Sequence, residues 1–386
     1  MNVRLVAICS GTISLAAFSP VASATSCFVP ATGLIQDAIN DTSRSCSEIL
    51  LRSGKVYNEH VIIPAGRDIT IRGLGTSPAI LTEADATAPL ITIEADTPSG
   101  PGRTVRLENM ILKDNDYGGV VANGGSRTTL EIADVTFQNL KRADADGGAV
   151  AATVKRLDID ESHFLNNSVT VGDGGAIAVF AASSTFTVDI VGTTFESNAA
   201  EAYGGALRIV EGPNGNCEAR IIGSDFTGNK VVAGGDAAAV GGGIAANCGV
   251  LQLEQSEIAE NEVSGDRGYV SGGGLFAKAQ TLILKDVIIR LNSLDVLSKP
   301  APYDVAPGGV ASIGATSVLI EDSQFLGNTG SRMGGGLGIF DAVDVDIHRS
   351  AFNNNLSTDG RGGGVAMSNI SGDIEIVQSS FYLNSA

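Results

Sequence analysis

The 386-residue sequence has no tryptophan, and its 13 Phe and 6 Tyr leave little material for broad aromatic platforms that stack sugars or bases. Cations are also few. Lys and Arg total 25 against 43 Asp and Glu, a formal net charge of −18. Such a field repels phosphate backbones and anionic lipid head groups, which argues against nucleic acid as a partner. With 3 His and no CxxC spacing, a His/Cys metal centre is not expected. Beyond residue 24 no apolar run reaches membrane-spanning length without charges or glycine clusters, so no transmembrane segment is expected. The 3.6-residue periodicity that an α-solenoid needs is missing as well. Glycine is what abounds: 49 residues, about twice the usual share, a sign of many tight turns. Hydrophobic residues at 43% and charged residues at 18% argue against disorder.

Residues 1–24 have the form of a secretory signal peptide. Arg4 supplies the positive start, residues 5–18 are apolar but too short to span a bilayer, and Ala22-Ser23-Ala24 forms a cleavage site before Thr25. Export is the expected fate of the chain. Cys9 precedes the cut, and Cys27, Cys46, Cys217 and Cys248 remain, an even number suited to an oxidising compartment.

From residue 103 to 386 the chain repeats an alternating strand, then S-x-F-x-x-N, then a variable stretch, then Gly-Gly and an aliphatic residue. The Phe position holds Leu112, Phe137, Phe164, Phe195, Phe226, Ile258, Ile289, Phe325, Phe352 and Phe381. Five residues earlier stand Leu107, Ile132, Ile159, Ile190, Ile221, Leu253, Leu284, Ile320, Ile347 and Ile376. Every one is Ile or Leu. The position seven earlier is apolar throughout and the one between is mostly polar, the period-two pattern of a half-buried strand. Short strands at a repeat of roughly 30 residues, with no helical pattern, predict stacked coils. The expected fold is all-β: a right-handed parallel β-helix solenoid of about 10–12 coils, roughly 50–60 Å long at the usual strand spacing.

Residues 25–102 are expected to form an N-terminal cap and the first coils. A short cap helix over 33–40 would place Leu34, Ile35, Ala38 and Ile39 on one face, followed by strands over 47–51, 61–63 and 69–71. At the other end the next Gly-Gly strand is due where the sequence stops at Ala386. The reading is a fragment, or an end covered by further chain or another subunit. Cys217 and Cys248 lie nine and ten residues before Phe226 and Ile258, nearly equivalent places on adjacent coils, which predicts a bridge between them. Cys27 and Cys46 flank the cap helix and are expected to staple it.

The motifs GGAV (147–150), GGAI (174–177) and GGAL (204–207) alternate with FLNN (164–167), FESN (195–198), FTGN (226–229), FLGN (325–328), FNNN (352–355) and FYLN (381–384). Over roughly 140–386 this pattern resembles the polymorphic outer-membrane protein repeat of autotransporter passengers. The resemblance implies a surface-displayed β-helix, often adhesive, located at a bacterial cell surface, at an outer membrane or outside the cell. LIQDAIN (34–40) and SEILLRSGKVYNEHVII (47–63) resemble the start of pectate-lyase-like β-helix proteins.

The Asn column from Asn115 to Asn384 has a structural explanation: Asn tolerates left-handed turns, and its amides can bond from coil to coil. The Ser/Thr column two before Phe is likewise a bend ladder. For catalysis the candidates are Asp344, Asp346 and His348, placed on one outward face by period two, with Arg349 and Glu321 nearby. A lyase would need acidic ligands for Ca²⁺ and a base, and a hydrolase two carboxylates, but an acidic outward column also keeps a rod solvated. No cofactor is expected beyond occasional Ca²⁺. Insertions over 230–240, 262–271 and 293–307 fall on three consecutive coils and would stack as one patch. Its polar and aromatic content would be Lys230, Asp236, Asp266, Arg267, Tyr269, Lys299, Tyr303 and Asp304. The functional expectation is a secreted or surface-exposed, non-enzymatic binding rod for glycans or cell-surface partners, with a polysaccharide lyase or glycoside hydrolase as the alternative. Thiol titration of the mature chain under non-reducing, denaturing conditions is expected to find no free thiol; any reactive cysteine would break the two-bridge assignment.

Overall fold

The computed structural model describes residues 25–386 except 84–86, 98, 184, 213–215, 235–237, 266–268, 297–305 and 359. The chain winds into a parallel β-solenoid of about ten turns. One coil consists of Ile177–Ala181, Thr185–Val191, Thr194–Glu196 and Ala199–Ala200. Each of these pairs in parallel with the next coil: Ile177 opposite Leu207, Val188 opposite Ala219, Phe195 opposite Phe226 and Ala199 opposite Lys230. Equivalent residues of successive repeats therefore stack directly, and the columns read in the sequence become ladders.

The Ile/Leu column lies inside, with Ile159, Ile190, Ile221, Leu253 and Leu284 at most 1% exposed. The phenylalanines form a second ladder. Ring centroids of Phe137, Phe164, Phe195 and Phe226 follow one another at 4.7, 4.8 and 4.4 Å with interplanar angles of 4–7°. Isolated aromatic pairs favour offset or edge contacts over a full sandwich. Here the strand spacing, about 4.8 Å, dictates the stacking distance. In the last coil Ile376 and Phe381, which continue these columns, are 44% and 48% exposed.

A third ladder is polar and buried. Asn167, Asn198, Asn229, Asn261, Asn292, Asn328 and Asn355 are all 0% exposed. From Asn198 to Asn355 each amide is fully engaged, and Asn167 differs in that, among the described residues, its Oδ1 accepts the Leu140 N–H alone. Asn229 Nδ2 donates to the Phe195 carbonyl at 3.0 Å and to Asn261 Oδ1 at 2.9 Å. Its Oδ1 accepts from Asn198 Nδ2 and the Asn198 backbone N–H, both at 2.9 Å. Two donors and two lone pairs are matched, the condition under which a buried amide is stable. The expected left-handed geometry belongs to the preceding residue instead: Asn166, Ser197, Glu260 and Leu291 have φ of 53°, 56°, 57° and 54°. The ladder asparagine needs an ordinary backbone to aim its side chain inward. The Ser/Thr column does form a bend ladder, with Ser224 Oγ donating to the Ile222 carbonyl at 2.9 Å and accepting the Thr193 N–H at 3.1 Å.

The Gly-Gly pairs mark a close approach. Gly204 has φ +66°, and a Cβ on Gly205 would lie 2.1 Å from the Gly242 carbonyl oxygen of the next coil. No side chain fits there.

The N-terminal helix is Ile35–Asn40, with Ile35 and Ile39 buried. It starts later than expected because the Glu59 carboxylate accepts the Ile35 and Gln36 N–H groups at 2.8 and 3.1 Å. This satisfies donors that a helix start leaves open. Leu34 is extended, caps nothing with its side chain and is 48% exposed, so it does not belong to the buried face. Disulfides join Cys27 to Cys46 and Cys217 to Cys248, with Cα separations of 5.7 and 4.8 Å. The second ties adjacent coils.

Asn229→Ala removes four buried hydrogen bonds and strands their partners, so a loss of about 3–5 kcal/mol is expected in urea unfolding. Asn166→Gly, at an exposed left-handed position, is expected to change stability by less than about 1 kcal/mol.

Candidate functional site

The position at the entry to the glycine turn changes in chemistry from coil to coil. Asp146, Asp173 and Tyr203 are half-buried at the edge of the solenoid, whereas Val240, Ser271 and Ala306 are buried. The buried set coincides with the insertions. There Lys230–Ala233, Glu262–Gly265 and Ser293–Val296 continue as a fourth strand, pairing from coil to coil. Ala239–Val240 and Val270–Ser271 then form a small parallel sheet of their own. Val231, Val263, Leu294, Ala239, Val270 and Ala306 close into a satellite apolar cluster. The first two insertions thus stack side by side on a core of their own.

Of the patch expected here, Lys230 pairs with Glu262 at 3.1 Å. Tyr269 sets its ring edge-on to Phe276 at 6.3 Å. Asp236, Asp266, Arg267, Lys299, Tyr303 and Asp304 lie outside the described residues.

On the N-terminal side of this roofed region the same edge opens into a cleft of about 1280 Å³. It is built from turns of three successive coils and lined by Glu83, Asp116, Tyr117, Lys141, Arg142 and Asp144 among others. Leu140 occupies the ladder position here, opposite Asn115. Asn115 therefore turns its Oδ1 to the Tyr117 N–H at 2.7 Å, which holds Tyr117 at the rim with 47% of its surface exposed. Arg142 crosses Gly118, where a Cβ would lie 2.8 Å from its Cδ, and donates to the Asp146 carbonyl. Burial lowers its pKa from the usual guanidinium value. Among the described residues, Glu83 Oε2 is buried without a hydrogen-bond partner.

Beside the cleft sits a group that no sequence motif announced. Asp146 Oδ1 accepts the Asp173 N–H at 2.8 Å. Asp173 Oδ2 stands 3.6 Å from Arg208 Nε, and the Arg208 guanidinium lies 4.5 Å from the centroid of the Tyr203 ring. Burial is the largest effect on Asp173: it pushes the carboxyl up to about 6, with Asp146 adding repulsion and Arg208 opposing. Burial also lowers Arg208. Both partners thus show desolvation outweighing an ion pair held at 3.6 Å. A carboxyl that ionises near 6 next to a second carboxylate can hold or give up a proton under mild conditions.

The strand Asp344–His348 shows its period-two face as expected, but divides the three candidates. Asp344 Oδ1 accepts the Asp373 N–H at 3.0 Å and serves the bend of the next coil. Asp346 and His348 stay together and are joined by Glu375 of the next coil, one ligand atom of each lying within 4.8 Å of the others. Arg349 turns away to Glu321 and to both oxygens of Asp322, at 2.8 and 2.9 Å.

No protein-family model matches the sequence, and comparison with curated proteins and with solved structures returns no significant match. No helix among the described residues is long and apolar enough to cross a membrane.

The Asp173 carboxyl, at about 6 folded against 3.8 for a free side chain, makes the fold hold an extra proton. Its contribution to stability is complete below pH 3.8 and is lost as the pH rises to about 6. Asp173→Asn is expected to remove that slope. From pH 3 to pH 7.5 the variant should gain about 3 kcal/mol on the wild type in urea unfolding; parallel pH profiles would contradict the assignment.

Proposed function

We propose that the protein is an exported β-helix that binds a neutral oligosaccharide in the cleft between residues 83 and 145. One observation carries the reading. An exposed tyrosine ring, two cations and several carboxylates line one cleft at the edge of the solenoid. Sugar hydroxyls donate to carboxylates and accept from Lys and Arg, while the apolar face of a pyranose packs on an aromatic ring. The charge of −18 selects against polyanionic glycans. The leader-like residues 1–24 and the two disulfides support export, and the GGA[ILV]/FxxN resemblance supports display at a surface.

A second reading, a glycoside hydrolase, is favoured by the Asp146–Asp173 pair, in which one carboxyl is raised to about 6 and the other lies beside it.

Retention of the mature, oxidised protein on neutral and acidic glycans tests the first reading. Neutral glycans are expected to be retained, with Tyr117→Ala and Asp144→Asn each weakening binding about tenfold, or about 1.4 kcal/mol. Undiminished retention by both variants, or a preference for polyanions, would overturn it. Release of reducing ends that Asp173→Asn abolishes would establish the hydrolase instead.

A further inference from the structure

The outward face of the solenoid carries columns of acids, and several of them are bridged by arginine. Arg106 joins Glu108 and Glu131 at 2.9 and 3.0 Å, and Arg156 joins Asp158 and Asp189 at 2.7 and 2.8 Å. Toward the C-terminal coils the pattern breaks. Asp346 stacks on Glu375 in direct register, with Leu319 before it in the column, so no cation stands between the two carboxylates. The nearest guanidinium, Arg349, is committed to Glu321 and Asp322. His348 follows two residues after Asp346 on the same face, between Glu321 and Val377 of the neighbouring coils. Among the described residues, no hydrogen bond or ion pair engages the side chains of Asp346, His348 or Glu375. The other two histidines differ: His60 meets Thr92 Oγ1 at 3.0 Å and His163 meets Thr194 Oγ1 at 2.7 Å.

We propose that Asp346, His348 and Glu375 form a surface site for a divalent transition metal, Zn²⁺ in particular. The donor set decides the class of ion. An imidazole nitrogen with two carboxylate oxygens suits zinc and its neighbours, whereas Ca²⁺ asks for six to eight oxygens. The geometry requires little change. Ligand atoms now within 4.8 Å of one another must close to roughly 3.4 Å apart around a tetrahedral ion with bonds near 2.1 Å. Rotation of half-buried and exposed side chains achieves this while the paired strands stay fixed. Three protein ligands leave further coordination positions to water or an external ligand. Asp344, bonded to the Asp373 N–H, is not a ligand.

Titration of the mature, oxidised full chain with Zn²⁺ by calorimetry, and with Co²⁺ by visible absorption, tests the site. One equivalent of Zn²⁺ is expected, with Co²⁺ bands that Zn²⁺ displaces and millimolar Ca²⁺ does not. His348→Ala and Glu375→Gln should each weaken binding at least tenfold, since even indirect partners of a metal ligand cost about 10–100-fold. Asp344→Asn should bind as the wild type does. All three changes lie on the outward face, and unchanged urea midpoints would show that the variants fold. Equal affinity in wild type and His348→Ala, displacement by Ca²⁺, or no Zn²⁺ binding below millimolar concentration would overturn the proposal.

Discussion

The asparagine ladder is the interaction on which the rest of the fold depends. A solenoid coil is not closed by its own hydrogen bonds, because each strand bonds to the coils above and below. The turn after the Phe strand must therefore be set to the strand spacing by something that also repeats at that spacing. The asparagine amide does this: it donates to the next asparagine and to the carbonyl at the preceding coil's Phe position, and accepts from the asparagine before it. Once that turn is fixed, the aromatic rings stack at 4.4–5.0 Å and the glycine turns approach to the point where a Cβ is excluded. Van der Waals packing of the Ile and Phe columns supplies most of the stabilisation. The ladder sets the register in which that packing takes place.

The same rigidity explains where chemistry is found. The inside is filled by side chains, and the cleft of about 1280 Å³ lies where turns of successive coils meet at an edge. The described residues of three coils with long insertions carry a small apolar core of their own, and turns of the coils before them line that cleft. Where the ladder residue is Leu140 rather than asparagine, Asn115 is released to orient a rim tyrosine. The Asp173–Arg208–Tyr203 group is a further result of stacking, since one coil contributes Asp173 and the next contributes Tyr203 and the strand residue Arg208 to a half-buried cluster that neither would form alone.

The coil architecture was legible because period-two alternation and a fixed offset from Phe are properties of single strands that stacking copies. The Cys217–Cys248 pairing followed from the same alignment, and that of Cys27 with Cys46 from their places on either side of the cap helix. The asparagine column was recognised as structural, but its left-handed geometry belongs to residues such as Ser197 and Leu291. Sequence position alone does not separate the residue that bends from the one that bonds. The helix start was misplaced because Glu59, remote in sequence, supplies the acceptor. Asp346 and His348 were visible on one face. Glu375 lies one coil further on, where nothing in the sequence separates it from other outward acids, and a backbone N–H occupies Asp344, which shares their face. Asp146, Asp173 and Tyr203 carry no motif. Their one signal was a shared place before Gly-Gly, found only after the turns themselves are aligned.

The bridge between Cys217 and Cys248 bears on how such a rod responds to load. A solenoid touches itself only between neighbouring coils, so a force that peels the terminal coil meets that coil's bonds alone and then meets the next set afresh. Unwinding from either end is a sequence of small events. The covalent link between two adjacent interior coils interrupts this sequence, because the strand segment between its ends cannot be drawn out until the bond is broken. The rod thus has a mechanical stop beside the insertions, where a loop of chain stays closed under a load that extends its neighbours.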